Sequence, residues 1–168
     1  MDVITIALSN KYTDTITSIE RERFNTYVSK VKHTNIGGLA INLINKTGAN
    51  TVKGSVVSAS SLLNNSFKLQ TNEYDAIGIV LEDGIADGQE AWVVISGVAE
   101  VLLEDSKLST RGNWVTGAIT DGRANATATA PSGGTISALD NHFKEIGHCL
   151  ESKSAGINVL AKCIIHFN

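Results

Sequence analysis

The stretch Ile77-Gly-Ile-Val-Leu-Glu82 returns sixty-nine residues later as Ile146-Gly-His-Cys-Leu-Glu151. Each copy is followed, after a short polar loop, by an apolar run: Trp92 to Val98 in the first, Leu160 to Phe167 in the second. Carried on without a gap, the alignment of 77–98 on 146–167 also matches Ala86 with Ala155 and Ile95 with Ile164. Short apolar runs on either side of a turn-forming loop are the pattern of a β-hairpin, and a pattern written twice predicts a repeated hairpin. The first loop, Glu82-Asp-Gly-Ile-Ala-Asp-Gly-Gln89, carries two Asp-Gly pairs, which supply the positive backbone angles of tight turns.

Working outward, Leu39-Ala-Ile-Asn-Leu-Ile44 reads as a strand, Asn45-Lys-Thr-Gly-Ala-Asn50 as a turn, and Thr51 to Ser58 as the returning strand of a further hairpin, with Gly54 a bulge or bend. Phe67-Lys-Leu-Gln-Thr71 alternates like a short half-buried strand, and Trp92 to Leu103 runs as one long strand with Gly97 as its break. Residues 105–145 are less regular. Trp114 to Ile119 fits a strand, Asp121-Gly122 a turn, Ala124 to Ala130 a small Ala/Thr tract, and Ser137 to Phe143 a short helical turn. At the other end, Ile16, Ile19, Phe24, Tyr27, Val28 and Val31 surround the charged run Glu20-Arg-Glu-Arg23. Spacings of three and four favour a helix there while β-branched residues oppose it, so a short helix and an extended arm both stay open. The expected organisation is an N-terminal arm or helical segment over 1–36 and an all-β domain over 37–168, a compact barrel or sandwich of antiparallel hairpins.

Composition supports this. A chain of 168 residues can bury roughly 70% of the surface its unfolded form exposes. With 42% hydrophobic and 18% charged residues it is globular, and 15 Gly beside 1 Pro with much Thr, Ser and Asn favours strands and turns. A net charge of −3 gives no general attraction to phosphate, so no nucleic-acid partner is expected. The first ten residues have an acidic residue at position 2 and no basic flank, unlike a signal peptide, and nothing reads as a membrane span. Two cysteines, Cys149 and Cys163, do not make a disulfide-dense module, although a bond between them stays open. Sequons at Asn45, Asn64 and Asn125 arise readily in such a composition.

Catalytic motifs are scarce. The sequence holds no Gly-x-Ser-x-Gly elbow, no phosphate-binding Gly-x4-Gly-Lys-Ser/Thr loop and no Gly-x-Gly-x-x-Gly turn. His142-Phe-Lys-Glu-Ile-Gly-His148 separates its imidazoles by six positions and interposes Gly147, which breaks the helix a His-Glu-x-x-His site needs. In His148, Cys149, Cys163 and His166 the neighbours alternate between faces, so at most one His–Cys set converges, and no metal site or cofactor is expected. Glu82, Asp83, Asp87 and Glu90 lack the rhythm of a calcium loop and read as a solvated turn. Trp92 and Trp114 read as core or subunit-interface anchors before sugar platforms.

The fragments Gly38-Leu-Ala-Ile-Asn-Leu, Val52-Lys-Gly-Ser-Val-Val57, Ala76-Ile-Gly-Ile-Val80, Ala86-Asp-Gly-Gln-Glu-Ala-Trp-Val-Val-Ile-Ser-Gly97, Arg111-Gly112, His142 to Glu151 and Lys162-Cys-Ile-Ile-His-Phe-Asn168, taken in order, resemble small structural head proteins of tailed bacteriophages, above all capsid decoration (cement) proteins. The resemblance covers about Gly37 to Asn168. It implies a non-enzymatic virion protein, made in the bacterial host cytoplasm, that binds the major capsid protein on the capsid exterior and stabilises the shell. It also implies a homo-oligomer, a trimer for preference. Contacts to capsid or subunits are then expected at Ile4, Ile6, Tyr12 and Tyr27 of the arm and at Trp114 in the 105–145 region. The alternatives are a head-fibre or tail-adaptor component and, from another class, a carbohydrate-binding module or small hydrolase using Trp92, Trp114 and the acidic loop.

Overall fold

The computed structural model describes residues 17–22, 30–71, 75–129 and 144–167. The chain forms two units, Met1–Lys32 and His33–Asn168. In the first, residues 17–22 form one short helix, exposed along its length. Strand β1 (Val31–His33) spans the boundary in sequence, and the described residues of the second unit are all-β. Its strands are β2 (Gly38–Asn45), β3 (Val56–Ala59), β4 (Ser66–Leu69), β5 (Ala76–Val80), β6 (Glu90–Leu102), β7 (Trp114–Gly117), β8 (Ala124–Thr127), β9 (Glu145–Cys149) and β10 (Leu160–Ile165).

Five of them close into a barrel in the order β2, β4, β3, β5, β6, because β6 pairs antiparallel with β2 as well as with β5. Closure removes the free edges that an open sheet would expose. Beyond Gly97, β6 leaves the barrel and pairs with β10, and β9, β7 and β8 follow as an extension. Gly97 (φ +80°) makes this change of partner possible: a Cβ there would stand 2.4 Å from the Gly37 carbonyl oxygen. The extension folds back on the barrel wall, where Val56 N donates to Gly122 O (2.8 Å) and Leu102 N to Gly54 O (2.9 Å).

Alternation along the strands builds two cores. Val57, Phe67, Val80, Ala91 and Val93, with half-buried Leu43, draw on all five barrel strands and fill the barrel interior. The opposite wall faces of those strands (Ala40, Val56, Ile79, Val94) join Ala99, Val101, Val115, Ala124, Ile146, Cys149, Ala161, Cys163 and Ile165 beneath the extension. Val94 and Ala99 lie in the same cluster although five residues apart, which the register shift where β6 meets β2 explains.

One expected hairpin is not formed. Thr51 to Ser58 does not return along Leu39–Ile44: β2 pairs with β4 in parallel and with β6, and β3 lies between β4 and β5. The cause is the chemistry of the connection. Asn45, with no exposed surface, donates its Nδ2 to Ala49 O (2.8 Å) and Ile85 O (2.9 Å), and its Oδ1 accepts from Thr47 N (3.0 Å). Thr51 N donates to Ile85 O (2.9 Å) and Gly54 N to Val80 O (2.8 Å), so the segment zips onto the β5–β6 ribbon. Asn45 is therefore a buried turn-builder and no glycan acceptor in the folded chain. Asn45→Ala is expected to cost about 2–4 kcal/mol by stranding buried polar groups. Urea unfolding checks this: a loss under about 0.5 kcal/mol, the scatter of a surface change, would show that the side chain does not hold the turn.

The two look-alike segments are antiparallel ribbons, β5–β6 and β9–β10, but their registers differ by one. Ile79 faces Val94 in the first; the gapless alignment would place His148 opposite Cys163, whereas His148 faces Ile164 and Cys149 faces Cys163.

Candidate functional site

Strand β9 determines what the extension presents. Against β7, Val115 pairs with Gly147 and the next residue, Thr116, pairs with Glu145, so Ile146 is an extra residue and β9 carries a bulge. In a regular strand Glu145 and His148, three apart, would face opposite ways. The bulge inverts that parity. Ile146 and Cys149, also three apart, both enter the core, and Glu145 and His148 come together on the other face. Gly147 (φ +149°) permits it, since a Cβ at that position would lie 2.0 Å from the Ile164 carbonyl oxygen.

His166, just after β10, completes the group, held by its backbone N–H on Ile146 O (3.0 Å). The Nε2 atoms of His166 and His148 lie 2.9 Å and 3.5 Å from Glu145 Oε1. The donor atoms of all three residues fall within 4.8 Å of one another. Trp114, first residue of β7 and directly opposite His148, sets its ring against that imidazole with centroids 4.3 Å apart, and the two imidazole centroids are 5.6 Å apart. The result is a row of Trp114, His148 and His166 along the sheet with a buried carboxylate beside both histidines.

The two thiols occupy the other face. Leu150 N to Lys162 O and His166 N to Ile146 O are ladder bonds, which places Cys149 and Cys163 at a position between bonded pairs, where facing side chains are closest. Both are buried and unbonded. The hydrogen bond with Cys149, together with burial, holds the Cys163 thiol far above the usual range, so it stays neutral. Alternation sets His148 opposite in sense to Cys149, and Cys163 to His166, as expected; the register that pairs Cys149 with Cys163 then gathers both thiols on one face and both histidines on the other. Alternation does not find Glu145, whose place depends on the bulge; the signal was Gly147, a glycine inside a strand pattern.

Of the residues expected to make capsid or subunit contacts, Ile4, Ile6, Tyr12 and Tyr27 lie outside the described residues, as does 137–143 with its expected helical turn. Trp114 is half-buried in the row above. Trp92 faces Asn42 across the β2–β6 ladder and packs on the larger core cluster. The acidic loop braces its neighbour: Asp83 accepts from Lys53 N (2.6 Å), and Asp87 from Gly48 N (2.9 Å) and Lys46 Nζ (3.2 Å). The Gly48 amide and then Lys46 hold the Asp87 carboxyl below its ordinary range. Within residues 105–129 side-chain bonds hold the connections. Arg123 joins Leu103 O (2.9 Å), Asp105 (2.8 Å) and Asn158 (2.7 Å), tying the β6–β7 connection to the β9–β10 loop.

No family model and no curated protein matches this chain. Among solved structures it is similar to the N base of head fiber gp8.5 of bacteriophage phi29, with a TM-score of 0.51 at 15% sequence identity over 76% of this chain and 92% of that one. That likeness is one of fold.

Proposed function

We propose that this protein is a structural component of a tailed-phage head, bound to the major capsid protein on the capsid exterior as a decoration protein. The observation that carries the reading is the shared fold: 92% of a phage head-fibre base is matched by 76% of this chain. The sequence resemblance to head proteins, drawn from residues 37–168, points the same way. A closed barrel whose strand β6 continues into a second sheet region is a stiff body, suited to bearing load between neighbouring subunits. A shell under pressure from packaged DNA is stabilised by any ligand that binds its closed form more tightly than its opened form, by an amount set by the ligand's affinity and concentration. An oligomer, a trimer for preference, would multiply that effect through avidity.

The same likeness favours a second reading, a head-fibre base, in which the β unit grips the shell and carries a projecting part. One experiment addresses both. Purified protein is expected to co-sediment with heads that lack it, and Ile4→Asp with Ile6→Asp, or Trp114→Ala, to weaken that binding. A decoration protein raises the temperature at which heads release DNA; a fibre base sediments with them and leaves that temperature unchanged. Absence from the sedimented particles at saturating concentration overturns both.

A further inference from the structure

We infer that Glu145, His148 and His166 form a binding site for a divalent transition metal, zinc for preference. Three properties of the row carry this, none of which depends on the phage assignment.

The first is the donor set. Two imidazole nitrogens and one carboxylate oxygen are the ligands that zinc and its neighbours take, and three protein ligands leave a fourth position for water or a donor from a partner. Calcium and magnesium, which seek oxygen cages, would not choose it.

The second is distance. Tetrahedral bonds of about 2.0–2.1 Å place donor atoms roughly 3.3–3.4 Å apart. His148 Nε2 is 3.5 Å and His166 Nε2 2.9 Å from Glu145 Oε1, already near that spacing. Only the two imidazoles must close on each other, from a separation of at most 4.8 Å. Both Nε2 atoms lie beside the same carboxylate oxygen, so small side-chain rotations suffice to bring the three donors around one ion.

The third is support and access. Glu145 is 2% exposed, whereas the His148 and His166 side chains are 33% and 45% exposed, so an ion enters from the histidine side and meets a fixed carboxylate beneath. None of the ligands sits on a long loop. Glu145 and His148 are set by the β9 bulge, His148 is backed by the Trp114 ring, and His166 is anchored through its backbone to Ile146. A bound ion would cross-link β9 to the end of β10, pinning the last strand of the fold.

The rival is a plain carboxylate–imidazole cluster, in which the histidines only hydrogen-bond Glu145. The full chain, stripped with chelator and dialysed, separates the two when titrated with Zn2+ in a calorimeter and with Co2+ by visible absorption. Expected results are one ion per chain, tetrahedral Co2+ bands, and quenching of Trp114 fluorescence by Co2+ that Trp114→Phe removes. Zn2+ at about 100-fold over its dissociation constant should raise Tm by roughly 5–10 °C. His148→Ala and His166→Ala, both at half-exposed or exposed positions and so expected to fold, should each weaken Zn2+ binding by at least about 10-fold, since even loss of an outer-shell partner costs that much. His33→Ala should change nothing. Tm and calorimetric traces indifferent to Zn2+, or binding that survives both histidine changes, would overturn the site and leave the plain cluster.

Discussion

Valine in place of Gly147 is expected to leave little folded protein. The added Cβ would stand 2.0 Å from the Ile164 carbonyl oxygen and 2.9 Å from Ile165 Cα, both backbone atoms that cannot swing aside. The backbone angle (φ +149°) is also one that β-branched residues avoid, at a cost of order 1–3 kcal/mol before any clash. Together these exceed about 4 kcal/mol, a large part of the roughly 5–15 kcal/mol that holds a typical domain. Gly147→Ala carries the same Cβ and should fail nearly as badly. Gly78→Val makes an instructive comparison. Its Cβ would meet Val93 Cγ1 at 2.2 Å and Val94 O at 2.9 Å, but the backbone there is ordinary and one of the obstacles is a side chain, so the loss should be smaller. Gly48→Ala, with nothing within 4 Å, should cost only its left-handed backbone angle, about 1–2 kcal/mol. Soluble yield, circular dichroism and melting temperature read the series. A Gly147→Val protein melting with the parent would mean that β9 does not need its bulge, and the placement of Glu145 beside His148 would fall with it.

What the sequence revealed follows from what is locally encoded. Period-two alternation and Asp-Gly loops make the strands of β5, β6, β9 and β10 legible, and Gly54 and Gly97 mark real departures, both at positive φ. The parallel β2–β4 pair is not legible, because it depends on where the 46–55 connection finds hydrogen bonds, and its partners include Phe67, Val80, Ile85 and Asp87, all remote in sequence. Strand β8 was hidden by alanine, which has little strand preference of its own; Ala124 is there because it is fully buried against the extension's core. At the site the same division holds. That His148 and Cys149 face opposite ways follows from parity; that both histidines share one face depends on the β9–β10 register, and the Trp114–His148 contact follows only once β7 is known to pair with β9. Glu145 is found only by a reader who takes a glycine within a strand as a change of parity.

Phe67→Ala is expected to lower stability by about 3–5 kcal/mol, which for a domain of this size is a fall in Tm of roughly 6–20 °C. Phe67 has no exposed surface and is the largest side chain in the barrel cluster. It sits on β4, the short strand that closes the barrel by pairing in parallel with β2, opposite Asn45, and antiparallel with β3, opposite Ala59. Truncation therefore opens a cavity at the seam, where neither partner strand can move inward without breaking its ladder. Phe67→Leu, which keeps most of the volume, should lose far less. The size of the cavity cost is only half of the expectation. Because β6 supplies one wall of the barrel with Glu90–Ser96 and the first strand of the extension with Gly97–Leu102, damage at Phe67 should be felt at the distant histidines. Trp92 lies in the barrel part of β6 and Trp114 in the extension, so Trp92→Phe and Trp114→Phe backgrounds each leave one reporter. Both reporters should unfold in a single coincident transition, displaced to lower denaturant with an unchanged slope. Two separated transitions, with the Trp114 signal unmoved by Phe67→Ala, would show instead that the barrel and the extension are held independently, and that β6 transmits no load from one to the other.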